Sequence, residues 1–305
     1  MVSRQPQVWP DIIGPAFLRM PFGQVLLGTI AGDGSLHQGS LRARGLKIEH
    51  SKHQMYYVMF KQAVLTKNFV CTEVSPYVRK PDKLYKSSPV YTSYLFSART
   101  TPEFEALSSI VYLPWKDRSV KLYHSFWLKR LDLMGMAIWW CNDGRLNWNN
   151  FQGDISTHCT YDEALECYFA LLEVLPGVKF NPSRKNNKGT SYFVINVLRQ
   201  TLEKFLMEIV PFIPLPNLLY KFVPKHKSYQ ETFDWLAFIK KEIPEFEPVI
   251  NKFWFRPLQV LKKRGYDYNL AFEQVYINAK AKLCDKKSKE DQIYNQRYFI
   301  DKIKS

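Results

Sequence analysis

Two apolar segments that each end in Asp-Gly constrain the fold of this sequence most. Residues 26–36 read LLGTIAGDGSL, and residues 136–146 read MAIWWCNDGRL. In both, an apolar run long enough for a buried helix stops at glycine, and Gly34 and Gly144 are expected to turn the chain through a left-handed conformation. The carboxylates Asp33 and Asp143 precede these glycines and lie 110 positions apart, about one small domain. The chain is therefore predicted to contain two similar halves.

The order of the predicted elements repeats along the chain. Hydrophobic spacing predicts helix, strand, helix, strand and helix in each half. In the first half the predicted helices cover 17–30, 54–69 and a segment opened by Thr101, and the predicted strands cover 42–51 and 90–98. In the second half the helices cover 132–140, 161–175 and 200–210, and the strands cover 153–160 and 191–197. The repeat pairs His50 with His158, and the helix over 54–69 carries Lys61 in its apolar stripe.

The composition indicates a polyanionic partner. The chain has 43 Lys and Arg against 28 Asp and Glu, a formal net charge of +15, which is typical of proteins that bind nucleic acid or a membrane surface. No run of about 18 apolar residues predicts a membrane span, and the first residues lack the apolar core of a secretory signal. Five cysteines without a C-x-x-C pair suit free thiols in a reducing, intracellular compartment.

The individual motifs, taken one at a time, have other interpretations. A single Gly-Asp-Gly is most often only a turn, and the second copy is what makes it informative. No phosphate-binding G-x-x-x-x-G-K-[ST] loop occurs, and a calcium loop needs several acidic ligands in twelve residues. His158, Cys159 and Cys167 have no fourth zinc ligand nearby. These patterns exclude the commoner sites and leave the paired aspartates.

The two motifs resemble a known family. LLGTIAGDGSL is similar to the first motif of single-chain LAGLIDADG homing endonucleases, and MAIWWCNDGRL is similar to the second, over a resemblance that spans 17–224. The resemblance implies an α+β fold, in which two pseudo-symmetric αββαββα halves form a saddle of antiparallel sheets. Ala31 replaces the first Asp of the motif, and Asn142 stands where an Asp is usual. Both aspartates that bind metal in the family are present.

The resemblance also implies the chemistry. Asp33 and Asp143 are the expected catalytic metal ligands, and Gly32 and Asn142 beside them are expected to contribute to the metal site. Lys221 is the expected catalytic lysine of the second half. Lys121 fits best in the first half, with Lys116 as the alternative. The expected cofactor is Mg²⁺; Mn²⁺ is expected to substitute, and Ca²⁺ to bind without supporting cleavage. Two carboxylates at the negative ends of two helices repel each other, which makes sense when divalent cations lie between them.

Close packing of the two motif helices requires small residues. Gly28, Ala31 and Gly32 are expected to supply them in the first helix, and Ala137 and Cys141 in the second. Trp139 and Trp140 are too bulky for this seam and are expected to fill the core of the second half.

The sheets are implied to contact double-stranded DNA. Arg reads guanine and Asn reads adenine through paired hydrogen bonds, whereas lysines mainly bind phosphate. The candidate DNA contacts are Arg42, Arg44, Lys47, Arg79, Lys80, Lys83, Lys86, Arg145, Asn147, Asn149, Arg184, Lys185 and Lys188.

The expected organisation is an extended arm over 1–16, a first half over 17–115, a linker over 116–130, a second half over 131–224 and a helical extension over 225–305. The expected function is a monomeric, site-specific, metal-dependent DNA endonuclease that makes double-strand breaks with short 3′ overhangs, encoded within an intron and plausible in an organelle. The main alternative is a splicing maturase on the same scaffold, with intron RNA as its partner. A DNA-binding repressor without chemistry is the third hypothesis.

Overall fold

Each half of the chain has the predicted αββαββα order. The computed structural model describes residues 9–40, 43–79, 91–115, 118–147, 151–187, 190–224 and 229–253. A short helix α1 (Pro15–Arg19) precedes the first half, which comprises α2 (Pro21–Ala31), β1 (Ser35–Ser40), β2 (Ala43–Ser51), α3 (Met55–Leu65), β3 (Ser75–Arg79), β4 (Tyr91–Ala98) and α4 (Pro102–Val111). The predicted cap of α4 is confirmed, since the Thr101 side chain accepts a hydrogen bond from the Phe104 amide.

The second half repeats this order after a short connection. The connection consists of a hairpin of β5 (Tyr112–Trp115) and β6 (Arg118–Lys121), followed by α5 (Ser125–Leu128). The second half comprises α6 (Leu133–Asp143), β7 (Gly144–Asn147), β8 (Gln152–Cys159), α7 (Tyr161–Val174), β9 (Phe180–Asn187), β10 (Thr190–Val197) and α8 (Leu202–Ile209). Thr160 and Glu163 form a reciprocal capping box at the start of α7, which explains why this helix begins where it does.

The two four-stranded sheets have equivalent topology. The strand orders are β1-β2-β4-β3 and β7-β8-β10-β9, and every neighbouring pair is antiparallel. One face of each sheet is apolar and packs under the helices, with Leu46, Ile48 and Phe96 buried in the first sheet and Ile155 and Ile195 in the second. The opposite face carries polar side chains such as Lys47 and Arg145. The predicted pair of antiparallel sheets is confirmed.

The seam between α2 and α6 depends on the absence of side chains. A Cβ atom at Gly28 would lie 2.3 Å from the carbonyl oxygen of Gly135, and one at Gly32 would lie 2.4 Å from the Cβ of Asn142. The prediction of a small-residue seam is confirmed for Gly28 and Gly32. On the α6 side, however, the closest approaches are made by Gly135 and Asn142 rather than by the expected Ala137 and Cys141.

Gly28→Ala is expected to lower the free energy of unfolding by at least about 2 kcal/mol, because backbone atoms of α6 must move to admit one methyl group. Thermal unfolding of the two proteins checks this value. Thr29→Val is the matched control on the same helix. The buried Thr29 hydroxyl has no hydrogen-bond partner, so its removal is expected to be neutral or stabilising. Equal stability of wild type and Gly28→Ala contradicts the seam.

Gly34 and Gly144 are required because a side chain would clash with neighbouring atoms, and not because the backbone is left-handed there. Gly144 is extended, at φ −69° and ψ 141°, and Gly34 is not in the left-handed region either. A Cβ at Gly144 would lie 2.2 Å from the Trp140 ring, and one at Gly34 would lie 2.7 Å from Thr29. The expected left-handed turn is therefore wrong, and the glycines instead let the strand leave directly beside the helix end.

Both tryptophans of α6 are fully buried, as predicted. Trp140 contacts Phe205 edge-on in the core of the second half, and its indole N–H donates to the carbonyl of Lys221. Trp139 instead stacks on Tyr123, whose hydroxyl donates to the Ala31 carbonyl. Trp139 thus packs toward the first half as well.

The segments outside the halves are more ordered than an arm and a linker imply. Residues 11–13, within the predicted extended arm, form a single 3-10 turn, and Ile13 is buried in the core. Residues 116–130, the predicted linker, include β6 and α5. The apolar Ile13 and Trp127 side chains explain this order, since both are removed from water.

Two helices of the C-terminal extension lie against the second half. They are α9 (Tyr229–Glu242) and α10 (Glu247–Phe253). Trp235 is nearly buried, and its indole N–H donates to the carbonyl of Phe222. Ile239 and Phe246 extend the same core. Among the described residues, no helix is both long enough and apolar enough to cross a membrane.

Candidate functional site

The two aspartates lie at neighbouring helix ends. Asp143 is the last residue of α6, and Asp33 follows Gly32 at the end of α2. Because α2 and α6 pack side by side in the same direction, both carboxylates reach the same end of the seam. They are close enough that the charge of Asp33 raises the pKa of Asp143. The Asp33 side chain is 41% exposed, so one carboxylate of the pair faces solvent.

A lysine binds the carbonyl groups at each of these helix ends. The Lys121 ammonium donates to the carbonyl oxygens of Ile30 and Gly32 at 2.7 Å and of Gly34 at 3.1 Å. The Lys221 ammonium donates to the carbonyls of Cys141 at 2.7 Å and Asn142 at 2.8 Å. Both lysines satisfy backbone groups that a helix end leaves unpaired.

This arrangement places one of the two candidate first-half lysines in the site. The hairpin register pairs Tyr112 with Lys121, and this brings Lys121 under α2. Lys116 lies outside the described residues. Lys121 and Lys221 thus occupy equivalent positions in the two halves, although they lie 88 and 78 residues after their aspartates.

Burial governs the electrostatics of the site. It raises the pKa of Asp143 to about 7, with a further contribution from Asp33, while Lys221, Lys121 and Lys61 oppose the shift. Burial also lowers the pKa of Lys121 to about 8, against the attraction of the two aspartates. The raised pKa of Asp143 therefore comes first from its removal from water and only second from the charge of Asp33.

A polar chain that sequence reasoning did not assign connects Asp33 to the seam. His50 Nδ1 lies 3.3 Å from a carboxylate oxygen of Asp33, and His50 Nε2 lies 2.8 Å from the ammonium of Lys61. The same ammonium donates to Asn142 Oδ1 at 2.7 Å, and Asn142 Nδ2 donates to the Gly28 carbonyl at 3.1 Å. One signal in the sequence pointed to this chain: a lysine in the middle of the apolar stripe of α3.

The donor set fits a divalent cation. Carboxylate oxygens are the hard ligands that such ions prefer, and a nuclease-type site uses one or two of them together with phosphate oxygens. Within the described part of the chain, no cluster of three or more His, Cys, Asp or Glu residues forms a metal cage. The Asn142 side chain is engaged in the seam, so the predicted metal contacts of Gly32 and Asn142 fall to their backbone carbonyls. Each of these carbonyls already accepts a hydrogen bond, from Lys121 and Lys221 respectively, and has one further lone pair.

The contribution of Asp143 to the stability of the metal-free protein is expected to fall as pH rises from about 4 to 7. Asp143 ionises near 3.8 when unfolded and near 7 when folded, so the folded state binds the extra proton in this window. The contribution is full below the unfolded pKa, is lost through the folded pKa, and amounts to about 2–4 kcal/mol. Burial lowers the pKa of His50, so its contribution has the opposite sign. The measurement is therefore the unfolding free energy of wild type minus that of Asp143→Asn across pH; a flat difference contradicts the shift.

The candidate DNA contacts that the structure describes lie on the strands, and their side chains differ in exposure and in the partners they already bind. Lys47 is 34% exposed, pairs with Glu49 at 3.3 Å and lies over the Tyr77 ring. The exposed Arg145 binds the buried carboxylate of Asp154 at 3.0 Å. Arg184 is exposed on β9 and donates to the Ser191 hydroxyl. Asn147 and Lys185 are half-buried on β7 and β9.

The remaining candidates give no side-chain geometry. Arg44 and Arg79 lie within β2 and β3, but only their backbones are described. The candidates that lie outside the described residues are Arg42, Lys80, Lys83, Lys86, Asn149 and Lys188. The whole set of DNA contacts therefore stays a prediction.

The fold and the site together define a class of protein. A single chain forms two αββαββα halves, and their central helices bring one carboxylate from each half to a common point flanked by two lysines. This is the arrangement of a two-motif, single-chain nuclease, in which both active-site halves are supplied by one chain.

Comparison with known proteins identifies the family. The model of the LAGLIDADG DNA endonuclease family matches residues 23–205, more than half of the chain, and the chain belongs to this family. The fold is similar to that of the homing endonuclease I-WcaI bound to its DNA recognition sequence, with a TM-score of 0.55 and 16% identity over 74% of this chain and 97% of that chain. I-DmoI in complex with DNA and Mn gives a TM-score of 0.38 and 14% identity, over 63% of this chain and 97% of its own. No curated protein matches the sequence.

Proposed function

We propose that this chain is a site-specific endonuclease that cuts both strands of a long DNA target, with Asp33 and Asp143 as ligands of divalent cations. The observation that carries the proposal is the convergence of the two aspartates at the ends of the packed helices α2 and α6. The two halves form this site together, since the charge of Asp33 in the first half acts on Asp143 in the second half across the seam. Family membership supports the same activity.

DNA is proposed to lie across the two sheets, on the faces away from the core. The sheets are related by the pseudo-twofold axis of the seam, so each one can contact one half of the target. The net charge of +15 supplies non-specific attraction to phosphates, and its contribution falls as salt rises. Exposed Arg184 and Arg145 are suited to base or phosphate contacts from the second sheet.

The proposed chemistry is phosphodiester hydrolysis with Mg²⁺. A bound cation would supply an activated water and offset charge on the leaving oxygen. Asp33 and Asp143 would hold the ions, and both carboxylates must be ionised to do so. The ammonium groups of Lys121 and Lys221 lie at the same helix ends and stabilise the negative charge that develops on the phosphate. Short 3′ overhangs are part of this proposal and follow from the family resemblance.

The direct test is cleavage of the intron-free form of the host gene by purified protein with Mg²⁺. A defined double-strand break at one site is the expected result, with no cutting in EDTA. Mn²⁺ should support cleavage, whereas Ca²⁺ should support binding alone. If the wild type makes no cut but binds the intron RNA tightly and specifically, the endonuclease proposal is wrong and the maturase function replaces it.

A further inference from the structure

A buried ammonium group joins the two halves beside the proposed metal site. Lys61 is fully buried within α3, and its Nζ atom lies between His50 of the first half and Asn142 of the second. Its charge also lies over the Tyr57 ring, 4.1 Å from the centroid, and the Tyr57 hydroxyl donates to the Ile138 carbonyl of α6. Burying a polar side chain is costly unless it is hydrogen-bonded, and Lys61 has partners on both sides of the seam.

The second half has no equivalent charge. Ser35 and Arg145 each lie two residues after the aspartate of their half, and the sheet registers pair them with Lys47 and Asp154. Counting three residues further along β2 and β8 from these partners relates His50 to Thr157. His158, the partner expected from the sequence, instead has a φ of 50° and stacks on Tyr192.

The helices show the same difference. The buried positions Val58, Lys61, Val64 and Leu65 of α3 have the spacing of Ala164, Cys167, Ala170 and Leu171 of α7. Lys61 therefore corresponds to Cys167. The seam is unequal as well, since Gly32 occupies in the first half the place that Asn142 occupies in the second, and its missing side chain leaves room for Asn142.

We propose that Lys61 is a positioning residue, which fixes Asp33 relative to the end of α6 by holding the His50 ring on one side and the Asn142 amide on the other. This proposal rests on the proposed function and names an asymmetry within its site. The first half holds its aspartate through a charged chain that crosses the seam, and the second half does not.

The geometry explains how Lys61 acts without touching the reacting atoms. Its hydrogen bond to His50 Nε2 sets the ring plane and directs Nδ1 at the Asp33 carboxylate. Its hydrogen bond to Asn142 Oδ1 directs Nδ2 at the Gly28 carbonyl, across the narrowest part of the seam. Without Lys61, both partners lose a buried hydrogen bond, while His50 keeps its contacts with Asp33 and Gln54 and Asn142 keeps its bond to the Gly28 carbonyl. Residues that orient metal ligands in this way typically change metal affinity or activity by about 10–100-fold.

Mn²⁺ binding to the full-length protein, measured by electron paramagnetic resonance, tests the proposal without a known target. Lys61→Met keeps the length of the side chain and removes its donors. We expect at least about tenfold weaker Mn²⁺ binding, a comparable loss in single-turnover cleavage, and unchanged DNA affinity in Ca²⁺. Asn142→Ala should act in the same direction, and the double variant should lose no more than the more impaired single variant, because both changes break one chain.

Cys167→Ala is the matched control, since it alters the equivalent buried position of the second half, and it should leave Mn²⁺ affinity unchanged. Wild-type affinity for Mn²⁺ in Lys61→Met overturns the proposal, and so does a parallel loss of DNA binding, which indicates a structural role only. If Lys61→Met fails to fold, Asn142→Ala decides alone by the same readouts. If the wild type binds Mn²⁺ but cuts no DNA, the proposed function fails while the role of Lys61 is still decided; a wild type that binds no Mn²⁺ overturns both.

Discussion

Asp33→Asn and Asp143→Asn are each expected to lower double-strand cleavage by at least about a thousandfold, because each removes a charged ligand that the other half cannot replace. Asparagine keeps the size of the side chain and can still form hydrogen bonds, so the sheets should bind DNA with unchanged affinity. Single-turnover cleavage with Mg²⁺ and electrophoretic mobility shifts in Ca²⁺ measure the two properties separately.

The same variants should differ in stability. Asp143 is mostly buried with a raised pKa, so its charge destabilises the metal-free fold at neutral pH, whereas Asp33 is 41% exposed and bonded to His50. At pH 8, Asp143→Asn is therefore expected to raise the free energy of unfolding by about 2–4 kcal/mol. Such a gain in stability together with a loss of activity is characteristic of a functional site.

Each variant has a clear contradictory outcome. If either Asp→Asn protein cuts at a rate near that of the wild type, that aspartate is not a metal ligand. Glu49→Gln is a suitable control, because Glu49 lies on the outer face of β2 and pairs with Lys47 rather than with the helix ends. It should cut its target at an unchanged rate under single-turnover conditions with saturating protein.

The elements that were predicted correctly have a clear hydrophobic or capping pattern within their own sequence. The helices α2 and α6 are apolar around most of their circumference, and α7 combines an apolar face with a capping box. Strand β1 was not predicted, because Ser-Leu-His-Gln-Gly-Ser contains a single strongly apolar residue. It pairs with β2 through backbone hydrogen bonds, which the periodicity of the side chains does not reveal.

The site residues that belong to a sequence motif could be predicted, whereas those brought to the site by tertiary structure could not. Asp33 and Asp143 follow from the repeated motif. The choice between Lys121 and Lys116 depends on the register of the β5–β6 hairpin, which the sequence does not reveal. His50 and Lys61 belong to different elements of the first half, and Lys61 reaches Asn142 only because α3 packs against the seam, so no local spacing relates the three residues.

Lys121→Met and Lys221→Met are each expected to lower the cleavage rate by at least about a hundredfold, since each removes a preorganised positive charge from the site. DNA affinity should stay nearly constant, because both ammonium groups are held by carbonyl oxygens at the helix ends. Single-turnover rates at saturating protein isolate this effect from binding.

Stability distinguishes the catalytic role of these lysines from their role in binding helix-end carbonyls. Both ammonium groups satisfy carbonyl oxygens at a helix end, so Lys121→Met and Lys221→Met should each lower the free energy of unfolding by about 1–3 kcal/mol relative to wild type. Lys204→Met is a surface control, since Lys204 donates to the exposed Pro176 carbonyl far from the aspartates. Lower stability with an unchanged cleavage rate would mean that the lysines only satisfy backbone groups. If the loss of cleavage exceeds any change in stability, the result means that cleavage requires a positive charge at both helix ends. A site with one carboxylate from each half is expected to need both charges.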